Sequence, residues 1–117
     1  LYLQTAQALR EKQDDQASAL RQALRDRLSQ HDWEYLTWQE WKEGFARLLE
    51  NSMRAELGLA LNTGGRTPPL RRVSFYAGGE ALIARITTRD ASVLTNLSEL
   101  FAAVCTPEAL LQGEHRR

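Results

Sequence analysis

Residues able to make or break bonds are few in this chain and stand far apart. The histidines are His31 and His115, and the only cysteine, Cys105, sits in an apolar stretch. Metal centres draw ligands in close pairs, and none of these three has another His or Cys close by in the chain. A Cys–His nucleophile pair can be assembled from any sequence distance. Cys105 nevertheless has the setting of a small apolar residue near a helix end. Asp14-Asp15 and Glu40/Glu43 are close carboxylates. On helix faces such acids serve solvation and pairing, Glu43 with Arg47 for instance. No HExxH, nucleophile elbow or dinucleotide fingerprint occurs. No catalytic set, metal or cofactor is implied, and the chain is expected not to be an enzyme.

Two constellations remain that could bind. Arg66, Arg71, Arg72, Arg85 and Arg89 crowd one region against only Glu80 and Asp90. With Tyr76 beside them, Arg71, Arg72, Arg85 and Arg89 are candidate contacts for an anion or a nucleic-acid backbone, the ring stacking on a base. The alternative is a solvated outer face. Trp33, Trp38 and Trp41 fall close together. They are either an anchor for a partner or a plug closing a helical hairpin. The segment 62–69, NTGGRTPP, invites a phosphate-loop reading, but no Lys-Ser/Thr follows and no strand precedes it. It is expected to be a linker.

The elements that must position these groups begin with a single domain. Its 117 residues are 43% hydrophobic and 26% charged. Formal charge is zero, from 15 basic and 15 acidic residues. Bulk electrostatics therefore demand neither nucleic acid nor an anionic membrane. Lysine occurs only at Lys12 and Lys42. The arginine excess suits interfaces, and a GC-rich coding bias would produce it equally. No run approaches the ~20 apolar residues of a membrane span. The start at Leu1 is expected to be the start of a piece of a longer protein. The lone cysteine leans towards an intracellular, reducing setting.

Residues 1–31 are rich in Ala, Leu, Gln and Arg, strong helix formers. A heptad frame puts Tyr2, Leu9, Gln16 and Ala23 on one seam and Ala6, Gln13, Leu20 and Arg27 on the other. From Ala17 a better stripe runs through Leu20, Leu24, Leu28 and His31. The segment is either a coiled-coil arm seeking a partner or an amphipathic helix packed on its own body. In the first case Tyr2, Leu9, Leu20 and Leu24, with Trp33 and Trp38, form the partner surface.

After a short connector, residues 37–62 carry apolar positions at threes and fours, from Trp38 and Trp41 through Phe45, Leu48, Leu49, Met53 and Leu57. A capping box of Thr37 with Glu40 is expected to start this helix, and Asn62 with Gly64-Gly65 to end it. Residues 70–88 then change period: LRRVSFYA, Gly78-Gly79 and EALIARITT predict a β-hairpin with a two-residue turn. Its core face would carry Val73, Phe75, Leu82 and Ile86, and its outer face Arg72, Tyr76 and Arg85. Asp90 caps an expected helix through Cys105, Thr106-Pro107 starts a short one, and Gly113 ends it before a frayed tail.

The expected fold is therefore α+β: an N-terminal helical hairpin with a coiled-coil-like arm over 1–31, and a helix–ββ–helix body over 32–117. A long helix followed by a small α/β head is similar in layout to coiled-coil subunits of large assemblies such as kinetochore components. The expected function is a scaffold or assembly domain acting through its long helices and an exposed sheet edge, binding a protein partner or a second copy through 1–31. A nucleic-acid module using the arginine face is the alternative. No membrane or small-molecule partner is implied.

Overall fold

Strong helix formers fill the first thirty residues, and the chain is helical there, but not as one rod. In the computed structural model, which describes residues 1–112, α1 (Tyr2–Arg10) and α2 (Asp14–Arg27) are separated by a tight turn at Glu11–Gln13. Lys12 takes a left-handed φ of 62° at that turn. Its N–H donates to Leu9 O and that of Gln13 to Ala8 O. This crossed pair of bonds closes a helix end. α1 folds back on α2 and also lies along a later helix, so residues 1–31 form part of the body.

Helix α3 (Gln30–Glu56) starts well before the expected Thr37 cap. Ser29 is the N-cap, its Oγ accepting from Asp32 N at 3.1 Å. Thr37 is buried inside the helix and donates its hydroxyl to Trp33 O, 2.9 Å away. The connector expected at 31–36 is thus helical. α3 ends earlier than Asn62, on Gly58 (φ 72°), where Gly58 N donates to Ala55 O and Leu59 N to Arg54 O. A left-handed glycine is the usual stop for a helix. Residues 59–71 form a loop tied back by Asn51 and Arg47: Asn62 N donates to Asn51 Oδ1 at 2.8 Å, and Arg47 Nη1 to Gly64 O at 2.9 Å.

The expected β-hairpin is absent: α4 (Arg72–Arg89) is one continuous helix, and among the described residues there is no strand. Ala77, Gly78, Gly79, Ala81, Leu82, Ile83 and Ile86 are all buried. Consecutive buried positions mean a helix surrounded by neighbours, so the single apolar stripe that marks a surface helix never develops. Gly78-Gly79, expected at a turn, stands mid-helix because two neighbours press on it. A Cβ at Gly79 would lie 2.5 Å from Glu40 O and 2.9 Å from Gly44 Cα; one at Gly78 would lie 2.7 Å from the Tyr2 ring. The glycines weaken the helix by about 0.5–1 kcal/mol each relative to Ala and allow backbone-to-backbone contact with α3 in exchange.

The expected single helix from Asp90 to Cys105 is two pieces. Asp90 caps a 3-10 turn (Ala91–Thr95), and Asn96 caps α5 (Leu97–Val104) by accepting from Glu99 N at 3.2 Å. Then comes α6 (Ala109–Gln112). The expected stop at Gly113, the tail and His115 lie outside the described residues. The core joins Leu9, Ala17, Leu82, Ile83, Ile86, Leu100, Val104 and Leu110 around α4, with a second cluster of Tyr2, Leu24, Trp33 and Leu36.

Candidate functional site

Glu40 stands at the centre of the molecule, fully buried, where α1, α2, α3 and α4 meet. Its Oε2 accepts from Tyr2 Oη at 2.6 Å and from Arg21 Nη1 at 2.9 Å, and its Oε1 from Arg21 Nη2 at 3.0 Å. Arg21 Nη2 also reaches Val104 O at 3.0 Å. That carbonyl lies at the negative end of α5, a favourable place for a cation. The Arg21 guanidinium lies 5.3 Å from the Trp33 ring centre, within range of the attraction between a cation and an aromatic face. Burial works against the Arg21 charge, and the Glu40 carboxylate outweighs it, holding the guanidinium above its ordinary pKa. Tyr2 is pushed well above the ordinary tyrosine pKa by burial first and by Glu40 second. Both oxygens of the carboxylate are occupied and the group is sealed from solvent. It ties α1, α2 and α3 together, with α5 joined through Arg21, and leaves no position for a reacting atom.

A second charged knot is nearer the surface. Asp14, in the first turn of α2, receives Arg85 Nε and Nη2 and Arg89 Nε and Nη2 at 3.0–3.1 Å. The bonds from Arg85 hold its carboxyl below the usual range, against the opposing effect of burial.

These two knots engage Tyr2, Arg85 and Arg89 of the expected site residues, with Trp33 packed beside Arg21. Tyr2, Leu9, Leu24 and Trp33 are turned inward, none more than 8% exposed, and Leu20 is half-buried against the core. Of the expected partner-binding set, Trp38 alone is exposed. The arginine set does not make one face. Arg71 and Arg72 are exposed at the start of α4, and Tyr76 sits beside Arg47. Arg85 and Arg89 are engaged by Asp14, several turns further along the same helix.

Apart from Trp38, what sequence reasoning missed is the outward face of α3. Tyr35, Trp38, Leu49, Met53 and Leu57 are exposed by 51, 42, 48, 62 and 72%. At 3.6 residues per turn they share an arc of about 100°. It lies opposite the arc of Trp33, Leu36, Glu40, Gly44, Arg47 and Asn51 that meets the body. Lys42 and Ala46 complete the stripe, Lys42 with its ammonium 4.0 Å from the Trp38 ring centre. At the Trp38 end the stripe opens into a groove of about 580 Å³ beside Phe101, Cys105 and His31. The available signal was width: Trp38, Trp41, Phe45, Leu48, Leu49 and Met53 cover more of the circumference than one packed face needs.

Among the described residues no three His, Cys, Asp or Glu side chains come together, and no helix is long and apolar enough to cross a membrane. Comparison with protein-family models, with characterised proteins and with solved structures found no match to this chain.

Proposed function

We propose that this chain is a non-enzymatic assembly module that pairs through the outward face of α3, its occupant being α3 of a second copy. The observation behind this reading is the stripe of Tyr35, Trp38, Leu49, Met53 and Leu57, large apolar side chains left in solvent on one side of one helix. From Tyr35 through Trp38, Lys42, Ala46, Leu49, Met53 and Leu57 the steps are all of three or four residues. They average about 3.67, a period that favours a nearly straight pairing over a left-handed supercoil. The stripe is self-complementary when antiparallel. A crossing at Ala46, the small residue at its middle, sets Tyr35 and Trp38 of one chain against Leu57 and Met53 of the other, the thioether on an aromatic ring. Glu50 already pairs with Arg54 on its own helix at 2.9 Å, so it brings no unmet charge to the interface.

Light scattering across a concentration series tests this. The native chain is expected to dimerise, and Met53→Asp with Leu57→Asp to be monomeric at all concentrations. A native chain monomeric at several hundred micromolar, or a double variant that still dimerises, refutes the reading.

A further inference from the structure

Between the end of α1, the middle of α4 and the loop at Arg66 lies a cleft of about 360 Å³, at the edge of the core and apart from the outward face of α3. Its floor is apolar, made by Leu9, Ala77, Ala81 and Ala84, and its rim carries Arg10, Lys12 and Arg66 against one carboxylate, Glu80. Glu80 already accepts from Asn51 Nδ2 at 2.6 Å, and Arg85, also on the rim, is held by Asp14. Arg10 spends Nη2 on Gln7 Oε1 at 3.0 Å, while its Nη1 is buried with no acceptor. A buried donor of a charged group left unmet is costly, and the Arg10 side chain lines the cleft. Burial first, and the facing Arg66 charge second, pull the Arg10 guanidinium below its ordinary pKa.

Backbone geometry brings these cations together at a cost. Gly65 (φ 98°) is pressed on the first turn of α4, where a Cβ would collide with Val73 O, and this sets Arg66 beside the cleft. Lys12 occupies the left-handed position that glycine favours and that Gly58 fills at the end of α3. A lysine there weakens the turn and places an ammonium at the cleft mouth, and such outliers gather at functional positions.

We propose that this cleft binds a small organic phosphate, its phosphoryl oxygens held by Arg10, Arg66 and Lys12 and its organic body resting on the apolar floor. The three cations outnumber the carboxylates near them, Glu80 on the rim and Glu11 close to Arg10. A phosphate of about −1.5 to −2 is attracted more strongly by such a set than a carboxylate of −1. Arginine holds phosphate oxygens through parallel N–H bonds, and Arg10 and Arg66 both line this cleft.

The test is titration of the full chain at constant ionic strength, followed by calorimetry and melting temperature, with phenyl phosphate, inorganic phosphate and benzoate as probes. Saturable binding is expected for phenyl phosphate, weaker for inorganic phosphate and weaker still for benzoate. Arg66→Gln, in a loop, should fold normally and bind phenyl phosphate at least tenfold more weakly. Lys12→Gly should raise the melting temperature of the free protein while weakening that binding. No saturable binding, or full affinity in Arg66→Gln, overturns the site. Benzoate binding as tightly as phenyl phosphate overturns the phosphate assignment, and equal affinity for the two phosphates overturns the role of the floor. A Lys12→Gly protein that binds as the native chain does removes Lys12 from it.

Discussion

The two faces of α3 are divided differently from those of an ordinary surface helix. Beside Trp33 and Leu36 its inward side buries Thr37, Glu40, Arg47 and Asn51, while its outward side exposes Tyr35, Trp38, Leu49, Met53 and Leu57. Buried polar groups are tolerated when each is met by a partner. Here Glu40 is met by Tyr2 and Arg21, Arg47 by Gly64 O, and Asn51 by Asn62 and Glu80. The outward apolar groups remain 42–72% exposed, with Lys42 over the Trp38 ring. The first face specifies how this chain folds on itself, and the second is open to another chain.

The sharpest way to break that contrast is to remove the charge at its centre. Glu40→Ala leaves Arg21 buried without its counter-ion at the junction of four helices. Breaking a buried pair in this way costs about 3–5 kcal/mol. Against a domain stability of about 5–15 kcal/mol this is expected to unfold much of the population, seen as a collapse of the chemical-denaturation midpoint. Full stability in Glu40→Ala would show that packing alone organises the inward face.

A smaller effect probes the same junction through space. Gly79→Ala adds one methyl at 2.5 Å from Glu40 O, where the obstacle is backbone. Helix propensity favours alanine by about 1 kcal/mol, and overpacking opposes it by about 1–3 kcal/mol, so a net loss is expected. A rise in melting temperature would mean that α3 and α4 separate easily.

Next in size is an alkaline dependence. The folded Tyr2 hydroxyl has a raised pKa, from burial and then from Glu40. In the unfolded chain it titrates near the ordinary value of about 10. The stability it confers is therefore complete below pH ~10 and is lost as pH rises through the folded value. The slope is at most about 1.4 kcal/mol per pH unit. Tyr2→Phe should flatten that part of the curve, measured by denaturation between pH 9 and 11; an unchanged slope would assign it to other groups.

The sequence made the helical character of residues 2–27, most of α3 and the α5 stripe legible, because helix formers and spacings of three and four are local signals. It misled where tertiary contact overrode local preference. Gly78-Gly79 resembles a turn until Tyr2 and Glu40, both remote in the chain, are seen to need the space. Thr37 and Glu40 have the spacing of a capping box, yet Glu40 is taken by Arg21, which lies on another helix. The alternation through Val73, Phe75 and Ala77 also fits a helix buried on nearly every side, and periodicity does not separate the two for short apolar runs. Arg85 and Arg89 counted as a basic surface because Asp14, their partner, is distant in sequence. The outward stripe of α3 was present in the sequence but merged with the inward one, since which side meets the body depends on where α4 lies.

The smallest stability effect belongs to the outward face, and its smallness carries the contrast. Met53 is 62% exposed and Leu57 72%. Folding therefore removes little of their apolar surface from water. In the isolated chain Met53→Asp with Leu57→Asp should shift stability within about 0.5 kcal/mol, the range of ordinary surface substitutions. Acids near the carboxyl end of α3 interact unfavourably with the helix dipole, which sets the sign as slightly destabilising. Denaturation is best measured at a concentration where the native chain is monomeric, because dimerisation would stabilise the native protein alone and make the variant look worse. A concentration-dependent gap in midpoint between native and variant, closing on dilution, is the expected signature of a surface that stabilises only in a pair. A gap of several kcal/mol that persists on dilution would place Met53 and Leu57 in the monomer's own core, and the two faces of α3 would then differ in degree only.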